Sequence, residues 1–345
     1  MRRSTRQVLV VVVVVAVVGI AVGVFWPRGD DEKRDANAPI DANAPAARKG
    51  TGPAGSRPVT ATAPTRPSHS ERTGEKLFSL DKAAAAAAYR RGGDLIRAGR
   101  LGEGRAEMSK ALLSGALPAQ QEAAARKTLT DLAEKMLFSP KVYDGDPYTF
   151  QYTFQPKEVI AKVERKLKLH VPTQILLKIN GIHDARSIRA GQTLKMIRGP
   201  FHAIVAKSSF TMDLYLYRQG SDPVFVKRMA VGVGKDGSTP AGLWEVALGK
   251  KLVRAPWNPP PNSTEKRSIQ WGQPGYPLGK MGYWISLAGI EPRTEMHVGY
   301  GIHGTNDPTS IGRAKSLGCI RLVEKNIELA FSLLYEKWST VRVLP

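Results

Sequence analysis

One cysteine stands among 345 residues. An intramolecular disulfide is therefore excluded, and a lone thiol in an exported chain is a candidate reactive group. Histidine is scarce too: its six positions are scattered, and no acidic cluster has metal-ligand spacing, so neither a metal site nor a cofactor is expected. Zinc-finger, RNP and helix-turn-helix patterns are missing, which argues against nucleic acid in spite of a net charge of +21. Residues 200–345 hold 18 Lys/Arg against 11 Asp/Glu, so only +7 of the excess lies there. An excess of this kind also suits anionic lipid or a carboxylate-rich cell wall.

Charge is missing altogether from residues 8–26, a valine-rich run behind Arg2, Arg3 and Arg6. As a helix this run would reach about 28 Å at ~1.5 Å per residue, enough for a bilayer core, whereas signal-peptide cores are typically ~7–15 residues. Residues 1–26 thus read as a cytoplasmic tip and a single-pass transmembrane anchor, with the rest exported. Secretion after signal cleavage is the alternative. Residues 27–74, rich in Pro, Ala and Gly without apolar periodicity, read as a disordered linker.

Residues 75–140 turn to Ala, Leu, Lys and Glu at helical spacing. Helices are expected over 80–98, 103–113 and 118–137, with Gly99 beyond the first, Pro118 opening the third and Ser139-Pro140 stopping it. Ala98-Gly99-Arg100-Leu101, Ala106 and Lys110-Ala111-Leu112 resemble one tetratricopeptide-type hairpin. The plainer reading is a helical spacer or a small bundle that binds a protein partner.

Residues 145–199 carry a strand pattern over 148–152, helices over 157–169 and 172–179, and a closing strand over 193–197. This β-α-α-β order, with Asn180-Gly181-Ile182 and Ile188-Arg189-Ala190-Gly191-Gln192-Thr193-Leu194-Lys195, resembles a LysM module. That resemblance implies binding to the glycan of peptidoglycan. The first half lacks the Gly-Asp-Thr-Leu usual in the first loop of that family.

The last 146 positions, residues 200–345, are strand-rich. Strands are expected over 202–205, 211–217, 224–233, 242–246 and 340–344, with one clear helix over 324–336. The Pro-, Asn- and Gly-rich stretch 256–276 reads as a lid or binding loop.

Here lie the cysteine and a histidine sixteen positions before it, in Ile302-His303-Gly304-Thr305 and Ser316-Leu317-Gly318-Cys319-Ile320-Arg321. A nucleophilic thiol needs a base, and backbone N–H groups to hold the oxyanion formed on attack. Gly318 allows close backbone approach, Cys319 opens a β-branched run, and His303 follows a strand-like segment, 296–302. The spacing exceeds one helix face but suits neighbouring strands joined by a loop over 306–315. A buried structural cysteine beside an unrelated histidine is the competing reading.

Those two segments resemble the active-site signature of YkuD-type L,D-transpeptidases. Ser238-Thr239-Pro240-Ala241-Gly242-Leu243-Trp244 and Tyr276-Pro277-Leu278-Gly279-Lys280 agree with that family in order. The resemblance implies a mainly-β catalytic domain over residues 200–345 and acyl transfer on peptidoglycan stem peptides in the bacterial cell envelope. Cys319 would be the nucleophile and His303 the general base and acid. Ser316, Leu317 and Gly318 would shape the oxyanion site, Gly304 and Thr305 would orient His303, and Arg321, Tyr283, Trp284 and Tyr300 would meet substrate. An amine acceptor gives a 3→3 cross-link; water gives a carboxypeptidase; an inactive wall-binding scaffold is the remaining alternative. One position departs: Leu317 stands where the family usually has a second histidine. The base role then falls to His303 alone, and a less polar neighbour should raise the thiol pKa. The expected whole is multidomain: a transmembrane helix, a disordered linker, a small α-helical region, a β-α-α-β module and a mainly-β domain with one prominent helix.

Overall fold

The structure, a computed structural model, describes residues 77–260 and 263–345. The anchor expected at 8–26 and the linker at 27–74 lie outside the described residues. Among the described residues no helix is long and apolar enough to cross a membrane.

Three helices come first: α1 (Lys82–Arg97), α2 (Leu101–Leu113) and α3 (Ala119–Met136). Asp81 caps α1 by accepting the Ala84 N–H at 2.7 Å. Glycines bring α1 and α2 close: a Cβ on Gly92 would meet Met108 N at 2.8 Å, and one on Gly104 the Ile96 side chain at 2.6 Å. The bundle is more than a spacer. Met108, Leu112, Leu129 and Met136 enclose Phe225 of the following sheet in one apolar cluster.

The β-α-α-β elements follow as β1 (Thr149–Thr153), α4 (Ile160–Lys166), α5 (Thr173–Ile179) and β2 (Thr193–Ile197), with β1 and β2 antiparallel. α4 is shorter than the periodicity suggests because Lys157 before it and Lys168 after it take left-handed φ. Asn180 knits the unit together, its amide donating to the Leu176 and Lys195 carbonyls and its oxygen accepting the Lys195 N–H. The module does not own a separate core: Ile160, Val163 and Leu176 share one cluster with Val226, Trp244 and Leu333. Lys195 is 2% exposed and donates to the carbonyls of Met136, Ser139 and Lys141 at 2.5 to 2.8 Å, closing the C-terminal end of α3.

The remaining strands are β3 (Phe201–Ala206), β4 (Thr211–Leu216), β5 (Val224–Ala230), β6 (Val233–Gly234), β7 (Gly242–Leu252), β8 (Trp284–Gly289), β9 (Gly301–Gly304), β10 (Ala314–Ser316), β11 (Ile320–Leu322) and β12 (Thr340–Leu344), with helix α6 (Glu324–Leu333) before the last. Eight form one sheet in the order β11-β9-β8-β7-β12-β3-β4-β5, while β6 and β10 make a separate parallel pair. Five sequence expectations need correction. The run 224–233 is two strands, and β7 continues to Leu252 through a register shift after Val246. β8 was not expected, although Ile285 and Leu287 alternate inward. The segment 296–302 is strand only from Gly301; Met296 and Val298 are 87% and 84% exposed, so their apolar side chains mark no buried face. α6 stops at Leu333, where the Lys251 ammonium accepts the role of cap by donating to the Phe331 and Leu334 carbonyls.

Candidate active site

One parallel pairing brings the cysteine to the histidine. In β9 and β11, Ile302 lies opposite Ile320 and His303 opposite Arg321. Continuing that register by one residue sets Cys319 beside Gly301, on the face that His303 and Arg321 share. Ordinary strand spacings then put the Cys319 and His303 Cα atoms roughly 8 Å apart, within reach for a thiol and an imidazole. The connection over 306–315 is therefore a crossover between parallel neighbours.

Gly318 turns the chain into Cys319 with φ of 141°, and a Cβ there would meet the Tyr300 ring at 2.7 Å and the Ser238 carbonyl at 3.0 Å. Ser316 braces this turn from within: its hydroxyl accepts the Gly318 N–H at 3.1 Å and donates to the Cys319 carbonyl at 2.6 Å. The Gly318 amide is thus already engaged, which removes it from the expected oxyanion donors. Thr239, not among the expected site residues, braces the turn from outside. Its hydroxyl donates to the Gly318 carbonyl at 2.8 Å and accepts the Gly234 N–H at 2.7 Å. The Thr239-Pro240 segment was visible in the sequence, but nothing there says that the hydroxyl ties two loops together. Leu317, half-buried, brings no hydrogen-bonding side chain.

His303 is 6% exposed. Its Nδ1 lies 2.6 Å from the Gly304 carbonyl, which calls for a proton on Nδ1 and leaves Nε2 as an acceptor. Burial pushes the imidazole down to about 4; the Gly304 hydrogen bond opposes this and the Arg321 charge adds to it. The Gly304 carbonyl thus holds the ring at Nδ1, whereas the Thr305 hydroxyl accepts the Asp307 N–H and shapes the next turn. Cys319 is partly exposed, yet the protein packed around its sulfur pushes the thiol up to about 11, against an opposing backbone contact and the Arg321 charge. Both groups are neutral at pH 7. Arg321 is half-buried opposite His303, and among the described residues its guanidinium forms no ion pair.

Trp284 stacks on His303 with ring centroids 5.5 Å apart and planes 13° from parallel. Tyr300 stands against Gly318, and burial together with the neighbouring Cys319 raises its phenol pKa. Tyr283 is different from the other aromatic candidates. It packs on Phe331 of α6 at 4.9 Å, because neighbours along an extended chain point to opposite faces. The loop expected to act as a lid has a small core of Ala255, Tyr276 and Leu278, against which Trp257, Ile269 and Trp284 pack. Glu324, also missed from sequence, anchors the base of this loop by accepting the Lys280 and Met281 N–H groups, each at 3.0 Å. Among the described residues no group of three or more His, Cys, Asp or Glu could hold a metal ion.

The family model for the YkuD L,D-transpeptidase catalytic domain matches residues 200–343. The L,D-transpeptidase YkuD of Bacillus licheniformis is 30% identical over 187 residues, which cover 52% of this chain and 90% of that protein. YkuD of Bacillus subtilis is 42% identical over 88 residues, covering 25% of this chain and 44% of that one. Among solved structures, an L,D-transpeptidase from Mycobacterium smegmatis matches at 14% identity and a TM-score of 0.31, over 45% of this chain and 64% of that chain. With the catalytic-domain model matched over residues 200–343 and 90% of a YkuD protein covered at 30% identity, this chain belongs to the YkuD family of L,D-transpeptidases, proteins of peptidoglycan metabolism.

Proposed function

We propose that the protein is a peptidoglycan L,D-transpeptidase that works through a thioester on Cys319. The observation that carries this reading is the β9–β11 pairing, which supports a thiol and a neutral imidazole on one face with the Arg321 guanidinium beside them. The Cys319 sulfur attacks the carbonyl between the third residue of a stem tetrapeptide and its terminal D-Ala. His303 takes the thiol proton at Nε2 and returns it to the leaving D-Ala amine. An acceptor amine on a second stem then attacks the thioester, forming the 3→3 cross-link and releasing the thiol. Water in place of that amine gives L,D-carboxypeptidase activity.

With the Gly318 amide engaged by Ser316, the oxyanion falls to the amide of Cys319 itself. Arg321 supplies a cation for a stem carboxylate, and Trp284 and Tyr300 form the walls of the cleft. Leu317 leaves His303 as the base. Residues 145–199 serve as a LysM-like glycan-binding module, and residues 8–26 as the anchor that keeps the exported domain at the membrane.

The test is mass spectrometry of the full chain after incubation with a carbapenem and with stem tetrapeptides. Acylation at Cys319 and release of D-Ala are expected, and Cys319→Ala should show neither. A wild-type chain that is neither acylated nor active on tetrapeptides overturns the reading in favour of a wall-binding scaffold.

A further inference from the structure

A second concave site lies at the far end of α6 from the cysteine. Glu324, at the start of that helix, holds the base of the lid beside Gly304, while the chain after Leu333 enters a cavity of about 500 Å³. Ten residues of helix put roughly 15 Å between the two ends. The cavity opens between the β-α-α-β module, through Pro172, Thr173 and Gln174, and the C-terminal domain, through Leu248 of β7 and Trp338 of the turn before β12. Its volume falls in the range of small-molecule sites, about 300–1,000 Å³.

The walls are built rather than merely left over. His170 stacks on Trp338 with centroids 3.6 Å apart and planes 12° from parallel, covering one face of an indole that is still 44% exposed. Lys251 is fixed to the carbonyls of Phe331 and Leu334, and its N–H donates to Glu336 at 3.1 Å. Among the described residues seven non-glycine residues have left-handed φ; one of them, Lys337, lines this cavity, and another, His170, backs its Trp338 wall. Such strain persists where neighbouring structure enforces it, and it gathers at binding sites.

The opening thus offers one broad aromatic face and the exposed Leu248, rimmed by the amide of Gln174, the carboxylate of Glu336 and the ammonium of Lys337. A sugar ring has the matching chemistry: a flat C–H face to lie on an indole, and hydroxyl and acetamido groups around its edge. We propose that this cavity is a glycan subsite that takes an amino-sugar segment of the polymer whose stem peptide enters the Cys319 cleft. The proposal rests on the peptidoglycan reading for its choice of polymer. It uses the junction of module and sheet, and the loops of the module itself are a separate surface.

The experiment is calorimetric titration of the full chain with a β-1,4-linked N-acetylglucosamine tetramer, which carries no peptide and cannot react with the thiol. Trp338→Ala is expected to weaken binding at least tenfold and Gln174→Ala several-fold, with carbapenem acylation of Cys319 unchanged in both. Trp338→Phe, which keeps an aromatic face and guards against misfolding, should retain most of the affinity. Absence of binding by the wild type overturns the proposal. So does affinity that survives Trp338→Ala but is lost in His183→Ala, on the exposed loop after α5. Failure of the acyl-transfer reading would show separately, as a Cys319 that no stem peptide acylates.

Discussion

The central sheet ends in two edges that are treated in opposite ways. At β5 the helical bundle covers the edge: Phe225 is buried among α2 and α3, its N–H donates to the Ser109 hydroxyl at 3.1 Å, and Arg228 pairs with Asp213 at 2.6 Å. At β11 the edge continues as a bridge from Arg321 to Gly232, and beside it stand the thiol, the imidazole and the Arg321 guanidinium. Strand edges left unpaired are costly, so folds usually cover them. Closing one edge with apolar burial and satisfied hydrogen bonds leaves the other able to hold groups that pack for reaction rather than for stability. The helical region that reads from sequence as a spacer is, in the fold, the seal on the quiet edge.

The sharpest way to break the contrast is at the open edge. His303→Gln should slow Cys319 acylation by about 10²–10⁴-fold, the usual contribution of a general base, while leaving the melting temperature nearly unchanged. At the sealed edge the reverse is expected. Phe225→Ala should cost about 3–5 kcal/mol of stability, read by urea unfolding, with the acylation rate per folded molecule preserved. If that variant instead loses acylation in step with folding at fully native conditions, the two edges are coupled and the contrast fails. Gly318→Ala belongs to both readouts: a side chain at this φ, against Tyr300, should cost about 1–3 kcal/mol and displace Cys319 enough to slow acylation.

Smaller effects sharpen the same picture. Leu317→His puts a polar group beside the thiol and should speed acylation several-fold; no change would mean that position 317 does not touch the electrostatics of Cys319. His303 and His170 are both pushed down to about 4, chiefly by burial. The unfolded chain protonates its histidines near ~6.5, so it binds protons first as pH falls. Stability is expected to decline between about pH 6.5 and about pH 4, and His170→Gln should flatten that decline in thermal melts.

Much of this fold was legible because periodicity and punctuation coincide. Helix α3 starts after Pro118 and ends just before Ser139-Pro140, and β12 has the bounds that its alternating pattern indicates. The errors share a cause. Met296 and Val298 look like strand residues but face solvent, and Tyr283 looks like a cleft aromatic but packs on α6. Which face a side chain takes depends on register, and a single sequence does not encode register directly. That the Cys319 and His303 segments lie on neighbouring strands was legible, whereas the bracing around them was not. Thr239 and Glu324 act by hydrogen bonds to backbone groups distant in sequence, with no residue pattern to announce them.

Acyl transfer by this route starts from a neutral His303–Cys319 pair at the β9–β11 edge. Nitrogen-15 NMR of histidine-labelled protein reads the protonation and tautomer of His303 directly. The expected result is a neutral ring with its proton on Nδ1 at pH 7, giving way to imidazolium only as the pH falls toward about 4. An imidazolium signal at pH 7 that disappears in Cys319→Ala would show a standing thiolate–imidazolium pair and contradict the account.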